Sequence, residues 1–279
     1  MNWKSWRDAS PVYGSREYFL NGRVWWNDPD PNYVRATLTL DEARTEASWT
    51  ALSGQLFTSS DWLPDLPAER LDIIKRTCTP HGGTARPVDF LENDPSRVWQ
   101  LTDDSGGTRR DVIGLFNFDD APATISVPLN RLDLPAASSY AAFDFWANKF
   151  LPPVTDAITA TLPPHACQIL ALRPMLDHPF VLSTSRHITQ GMIELTGEKW
   201  DPATRTLSGT SHVVGGDPYE VRIAAPGTWV IKNCTVTPLI WNAWRGPATV
   251  ATIAPAKDGS LRATINSMSD VNTAWAITF

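Results

Sequence analysis

Residues 23–31 read Arg-Val-Trp-Trp-Asn-Asp-Pro-Asp-Pro, and the fold is most readily derived from this stretch. The β-branched and aromatic residues at its start are typical of a strand. Pro29 and Pro31 have no backbone N–H and therefore cannot continue a sheet ladder. The stretch predicts a strand that ends at Asp28 and passes into a loop.

Helix and strand signals alternate downstream of this stretch. Residues 39–54 begin with the capping-box spacing of a threonine and a glutamate and end in a glycine, which predicts a helix with both termini marked. A second strand is predicted over residues 55–60, and a proline-initiated second helix is predicted over residues 67–78.

Strands that alternate with helices usually pair in parallel, and a parallel sheet needs both of its faces covered. Two strands are too few for this, whereas a (β/α)8 barrel would supply the missing neighbours. Residues 1–82 are therefore predicted to be the last strands and helices of such a barrel, with residues 1–20 left from an earlier helix and loop.

The sequence pattern changes after residue 82. Short apolar runs separated by proline, glycine, asparagine and aspartate predict an antiparallel β-sandwich over residues 83–174. Alternating apolar and polar residues continue over residues 175–279 and predict an additional β-rich module. The predicted fold class is a multidomain, mainly β chain: the C-terminal remnant of a (β/α)8 barrel, an antiparallel β-sandwich and a further β-sandwich-like module.

Charge and hydropathy exclude some partners. The 279 residues include 30 acidic and 24 basic ones, a net charge of −6, so no nucleic-acid partner is expected. No uncharged run approaches the ~20 residues of a membrane helix, and no membrane partner is expected. The first residues lack the apolar stretch of a signal peptide, which leaves the compartment open; a secreted or periplasmic parent protein is compatible.

No cofactor and no metal are expected. His178, His187 and His212 lack metal-ligand spacing, and the three cysteines form no CxxC motif. Three tryptophans of the last module have two interpretations, a carbohydrate-binding platform or sandwich core residues. They are Trp241, Trp244 and Trp275.

The candidate site lies where the first predicted strand ends. Asp28 and Asp30 flank a proline at that end, and residues two apart in an extended chain project to one side roughly 6–7 Å apart. That separation is compatible with paired carboxylates that act on a glycosidic bond. The alternative is that both carboxylates accept backbone N–H groups in an Asx-type turn.

A second set of candidates follows the next predicted strand. Ser59, Ser60 and Asp61 could form the rim of the same pocket, because strand ends of a parallel sheet meet at one edge. The alternative is an N-cap and turn cluster before the helix that begins near Pro67.

Several motifs occur in a particular order: Trp26-Asn-Asp-Pro-Asp30, Trp49-Thr-Ala-Leu-Ser-Gly54, Gln55-Leu-Phe-Thr-Ser-Ser-Asp61, Leu63-Pro-Asp-Leu-Pro-Ala-Glu-Arg70 and His81-Gly-Gly-Thr-Ala-Arg-Pro-Val-Asp89. In this order and spacing they resemble the α-galactosidases and related enzymes of glycoside hydrolase families 27 and 36 (clan D). The resemblance covers residues 16–174.

The resemblance implies a parent enzyme that hydrolyses terminal α-linked sugars with retention of configuration. The nucleophile and acid/base aspartates of the family precede the first motif, so no catalytic residue is expected in this chain. Asp30 matches an aspartate that lines the sugar subsite and accepts hydrogen bonds from hydroxyl groups, with Asp28 and Trp26 supporting the strand end. The expected partner is a carbohydrate, an α-galactoside or a related sugar.

Three functions remain compatible with the sequence. The first is the C-terminal part of an α-galactosidase-like hydrolase, inactive as an isolated chain. The second is a noncatalytic β module that binds carbohydrate or a protein partner. The third, an autonomous small hydrolase that uses Asp28 and Asp30, is disfavoured because no closed scaffold would hold the two carboxylates in place.

Overall fold

A computed structural model describes residues 2–78, 81–239, 251–257 and 259–279. Within these ranges the helices are α1 (Trp3–Arg7), α2 (Ser10–Arg16), α3 (Leu40–Ser53) and α4 (Ala68–Thr77), with 3-10 turns at Leu63–Asp65 and Leu129–Arg131. The strands in the same ranges are β1 (Arg86–Pro87), β2 (Val98–Asp103), β3 (Arg110–Phe116), β4 (Ala123–Pro128), β5 (Tyr140–Asp144), β6 (Lys149–Val154), β7 (Ala157–Leu162), β8 (Cys167–Pro174), β9 (Phe180–Thr184), β10 (Leu195–Asp201), β11 (Thr206–Val213), β12 (Tyr219–Ala224), β13 (Asn233–Pro238), β14 (Ala251–Pro255), β15 (Arg262–Ser267) and β16 (Val271–Thr278). The mainly β fold class predicted from the sequence is confirmed.

The two strands predicted before residue 61 do not form regular ladders. The Leu56 N–H donates to the Asn27 carbonyl over 3.0 Å. The Asn32 N–H donates to the Thr58 carbonyl over 2.8 Å, and Asn32 forms one isolated parallel bridge with Ser59. The prolines on either side of Asp30 have no N–H to extend this pairing. The two segments thus lie side by side in the parallel direction, while their membership of a (β/α)8 barrel stays a prediction.

Helix α3 confirms the helix predicted from its end signals. The Thr39 hydroxyl accepts the Glu42 N–H over 3.2 Å, and the Glu42 carboxylate accepts the Thr39 N–H over 2.8 Å. Gly54 ends the helix with a φ of 73°. A Cβ at Gly54 would lie 2.2 Å from the Gly83 carbonyl oxygen, so both the conformation and the close approach require glycine.

A six-stranded antiparallel sheet with the order β1-β2-β3-β8-β5-β6 follows the helices. Trp49 and Leu52 of α3 share an apolar cluster with Trp99 and Val112 on one face of this sheet. The β4–β7 ribbon covers the other face. All seven residues of β3 are buried, as expected for a central strand covered on both faces. The predicted antiparallel β-sandwich is confirmed.

The last part of the chain contains two four-stranded antiparallel sheets, β10-β11-β16-β13 and β14-β15-β12-β9. They share one apolar core, in which Val221 and Ile265 of one sheet meet Leu207 of the other. Trp275 is 2% exposed and its indole N–H donates to the Ser211 hydroxyl over 2.9 Å. Trp275 is therefore a core residue and not part of a binding platform. Trp241 and Trp244 lie outside the described residues.

Buried charges join this last pair of sheets to the sandwich. Glu198 on β10 lies 2.5 Å from a guanidinium nitrogen of Arg110 on β3 and 2.9 Å from one of Arg173 on β8. Its carboxylate also accepts the Val181 N–H over 3.0 Å. Burial lowers the pKa of Arg110, while the facing Glu198 carboxylate favours the charged guanidinium. Two buried guanidinium groups at the junction thus share one carboxylate.

Candidate functional site

A cleft with a volume of about 300 Å³ lies between α2 and the loop within residues 23–31. Tyr13 and Glu17 line one side of it. Trp26, Asp28 and Asp30 line the other, so the structure brings together the three residues that the sequence predicts to bind substrate. Tyr13 and Trp26 are 59% and 51% exposed, which leaves both rings accessible to a ligand.

Side-chain hydrogen bonds hold the loop of this cleft in place. The Asn21 side chain accepts the Asn27 N–H over 2.9 Å and donates to the Gly54 carbonyl over 3.0 Å. The Ser10 hydroxyl, at the start of α2, donates to the Pro29 carbonyl over 2.7 Å. Since the prolines provide no N–H, these side chains replace the ladder bonds that a strand would supply.

The two aspartates of the cleft have different surroundings. Asp28 Oδ1 accepts the Asp30 N–H over 3.1 Å, which is the Asx-type contact anticipated as the alternative for this pair. Asp30 has a positive φ of 65°, a conformation that aspartate tolerates better than most residues. Within the described residues the exposed Asp30 carboxylate has no hydrogen-bond partner. Asp28 therefore shapes the turn, and Asp30 offers free acceptor oxygens to the cleft.

Ser59, Ser60 and Asp61 do not line this cleft. The Asp61 carboxylate accepts the Val34 N–H over 2.5 Å and the Arg35 Nε–H over 2.6 Å. The Ser60 carbonyl accepts an Arg35 Nη–H over 2.6 Å. Asp61 is not an N-cap either, because α4 begins after Pro67 without any side-chain cap. The Asp61 carboxylate and the Ser60 carbonyl thus fix Val34 and Arg35, which follow the cleft loop.

Tyr13 and Glu17 of the cleft wall were not among the residues predicted from the sequence. Tyr13 lies within α2 and Glu17 is its C-cap residue, four positions further on, a spacing that places two side chains on one helix face. This spacing is a local signal, but only the packing of α2 against the loop shows which cleft the face lines.

Glu46 is a further carboxyl group that the sequence did not single out. It lies on α3, is 1% exposed, and accepts the Tyr33 N–H over 2.7 Å, three residues beyond Asp30. Burial raises the pKa of Glu46 to about 8, although the Tyr33 hydrogen bond favours the charged form. Burial thus favours the protonated form of Glu46, next to the segment that follows the cleft loop.

Glu46 should make folding stability depend on pH. The folded protein retains a proton on Glu46 that the unfolded chain releases above its ordinary pKa of 4.5, so the free energy of unfolding should fall as the pH rises towards about 8. Glu46→Gln keeps an oxygen for the Tyr33 N–H but cannot ionise. We expect its stability relative to wild type to increase by at least about 1 kcal/mol between roughly pH 5 and pH 8.

Urea unfolding at several pH values measures this difference. Asp41→Asn, at an exposed position on the same helix, is the matched control and should follow the wild-type pH dependence. Parallel pH curves for wild type and Glu46→Gln would show that Glu46 does not titrate in this range.

The described residues contain no group of three or more histidine, cysteine and acidic side chains that could hold a metal ion. In the same residues, no helix has both the length and the apolar character needed to cross a membrane.

Solved structures with a similar fold include a GH27 enzyme. Over 63% of its length the chain matches a GH27 β-L-arabinopyranosidase from Geobacillus stearothermophilus solved with arabinose, with a TM-score of 0.53 and 21% identity. The wild-type form of that enzyme matches over 62% of the chain, with a TM-score of 0.52 and 22% identity. The chain therefore shares its fold with part of a GH27 glycosidase.

The family comparison is more specific. Residues 93–172 match the alpha galactosidase C-terminal beta sandwich domain. A stretch of 161 residues, 53% of the chain, is 28% identical to Alpha-galactosidase 3 of Arabidopsis thaliana. The resemblance predicted from the sequence is confirmed: the chain is similar to the C-terminal portion of α-galactosidases. The matches cover 36% of the Arabidopsis protein and 43% of the Geobacillus enzyme, so the chain spans less than half the length of these relatives.

Proposed function

We propose that this chain is the C-terminal part of an α-galactosidase-like glycoside hydrolase and that its first cleft contributes to the sugar subsite. One observation carries the proposal: the Asp30 carboxylate has no hydrogen-bond partner within the described residues and lines a cleft with Trp26 and Tyr13. The similarity of residues 93–172 to the C-terminal domain of α-galactosidases supports the choice of substrate class.

The chemistry of the cleft suits a sugar. A sugar hydroxyl can donate to a free carboxylate oxygen, and hydrogen bonds to charged groups are stronger than those between neutral groups. The exposed rings of Trp26 and Tyr13 can cover the apolar face of a pyranose. In this role Asp30 orients the substrate, while Asp28 holds the turn through the Asp30 N–H.

Retaining hydrolysis needs a nucleophile and an acid/base, two carboxyl groups roughly 5–5.5 Å apart. We propose that both belong to preceding strands of a complete (β/α)8 barrel, and that the chain divides into residues 1–82, 83–174 and 175–279. Exposed apolar residues support a covering partner on the first segment: Val24 is 66%, Leu56 is 42% and Trp62 is 72% exposed. Strands and helices of the same barrel would cover them.

The chain alone should bind an α-galactoside without cleaving it. We expect methyl α-galactoside to shift the indole N–H resonance of Trp26. We expect an aryl α-galactoside to be hydrolysed no faster than in a protein-free control, because the two catalytic carboxyl groups are proposed to belong to other strands of the barrel. Hydrolysis that disappears in Asp28→Asn or Asp30→Asn would instead establish an autonomous hydrolase. A Trp26 resonance unchanged by sugar would contradict the subsite assignment.

A further inference from the structure

A second cleft lies where the helices, the sandwich and the last pair of sheets meet. Its volume is about 480 Å³, within the roughly 300–1,000 Å³ typical of small-molecule sites. Arg44 of α3 and Glu69 of α4 line it from the helices, Trp146 from the turn between β5 and β6, and Glu220 from β12. It shares no lining residue with the first cleft.

The charges around this second cleft balance. Arg76 lies 2.9 Å from Asp72, and Arg222 lies 3.0 Å from Glu220. The remaining charged residues of the lining are Arg44 and Glu69, one of each sign. A lining without net charge offers no field that would select a phosphate group or a metal cation.

Arg44 and Glu69 carry the two charges of this lining that are not paired with another described side chain. Within the described part of the chain, neither side chain forms an ion pair or a hydrogen bond. The Arg44 guanidinium carbon lies 5.3 Å from the centroid of the Trp146 ring, and the buried Arg44 Nε–H has no acceptor. Glu69 is exposed in the first turn of α4. The cleft wall therefore carries a guanidinium that lies over the Trp146 ring and a carboxylate on another part of the wall, and within the described residues neither has a hydrogen-bond partner.

Two further groups complete the lining. Glu220 receives both of its arginine hydrogen bonds on Oε2, from Arg222 and Arg262, which leaves Oε1 without a partner in the described residues. The Trp146 indole N–H donates to the Ser48 hydroxyl over 2.9 Å, which fixes the position of a half-buried ring. Arg44 lies over one face of this ring, so a ligand would contact the part of the Trp146 surface that Arg44 leaves uncovered.

We propose that the second cleft binds a neutral sugar ring of an oligosaccharide, with Arg44 as donor, Glu69 and Glu220 as acceptors and Trp146 as the apolar surface. Each sugar hydroxyl is both a donor and an acceptor, so it needs both kinds of partner in one site. The C–H groups of a pyranose need an apolar surface, which an aromatic ring supplies. A bound sugar would contact three separate parts of the chain at once. This site does not depend on the subsite proposed for Asp30.

Titration of the full chain with the neutral trisaccharide raffinose tests the proposal. The indole N–H resonance of Trp146, assigned with Trp146→Phe, reports the second cleft, and that of Trp26 reports the first. We expect a saturable shift of the Trp146 resonance, with the affinity weakened about tenfold or more in Glu69→Ala and in Arg44→Ala. Asp30→Ala should leave this titration unchanged. Asp65→Ala, which removes an exposed carboxylate outside the lining, is the matched control.

A Trp146 resonance that does not respond to raffinose overturns the proposal, as does equal affinity in wild type, Glu69→Ala and Arg44→Ala. Preferential binding of galacturonate, a charged sugar, would also contradict a neutral-sugar site. A response at Trp146 with a silent Trp26 would support the second cleft while contradicting the function proposed for the first.

Discussion

Replacing Glu198 with alanine should lower the free energy of unfolding by about 3–5 kcal/mol, the cost typical of removing one partner from a buried ion pair. The side chains of Glu198 and Arg110 are 7% and 6% exposed, so bulk solvent does little to stabilise the charges that would remain. Arg110 and Arg173 would remain as two buried cations facing each other without an anion. The Val181 N–H would also lose its acceptor.

Urea unfolding followed by tryptophan fluorescence measures this loss. Glu92→Ala removes a carboxylate from an ion pair with Arg131, but both side chains of that pair are largely exposed, so only a small change is expected. A Glu198→Ala protein as stable as Glu92→Ala would mean that the junction between the sandwich and the last sheets does not depend on the buried carboxylate.

Replacing Asp30 with alanine should weaken binding of methyl α-galactoside by roughly 10- to 150-fold, since a hydrogen bond to a charged group is worth about 1.5–3 kcal/mol. The Asp30 carboxylate, which has no hydrogen-bond partner within the described residues, is the acceptor proposed to meet a sugar hydroxyl in the first cleft. Titration of the Trp26 indole resonance measures the affinity. Asp30→Asn tolerates the positive φ of 65° better than alanine and should lose affinity while the turn keeps its shape.

Asp61→Ala is the contrasting variant for this experiment. Asp61 holds Val34 and Arg35 and does not line the first cleft, so its loss should lower the melting temperature more than the sugar affinity. Binding by Asp30→Ala as tight as by wild type, with an unchanged melting curve, would show that Asp30 does not contact the sugar.

The elements predicted correctly from the sequence carry their signals within a few residues. The capping box of Thr39 and Glu42 and the terminal Gly54 lie within or next to α3, and their hydrogen bonds form as predicted. The alternation of apolar and polar residues around Val221 likewise predicted a strand, which is β12 in the structure. In contrast, the strands predicted before residue 61 lacked regular ladders, because strand formation also needs a partner that supplies N–H and C=O groups in register.

The first cleft was only partly predictable for the same reason. Asp28, Asp30 and Trp26 are adjacent in the chain, so their common location follows from local geometry. The sequence left open whether the aspartates form a turn or bind a ligand. In the structure Asp28 makes the turn contact, and the Asp30 carboxylate has no hydrogen-bond partner in the part of the chain that is described. Tyr13 lies on helix α2, and only tertiary packing brings it next to these residues.

Local signals in the sequence established the mainly β class, the position of α3 and the candidate aspartates, because helix caps, proline and alternation act over a few residues. Contacts between distant segments decided the rest. Burial of Glu46, the Arg110–Glu198–Arg173 cluster and the second cleft all depend on which elements pack together. Burial removes water from a charged group, and its pKa and partners are then set by neighbours far away in the chain, which no local pattern records.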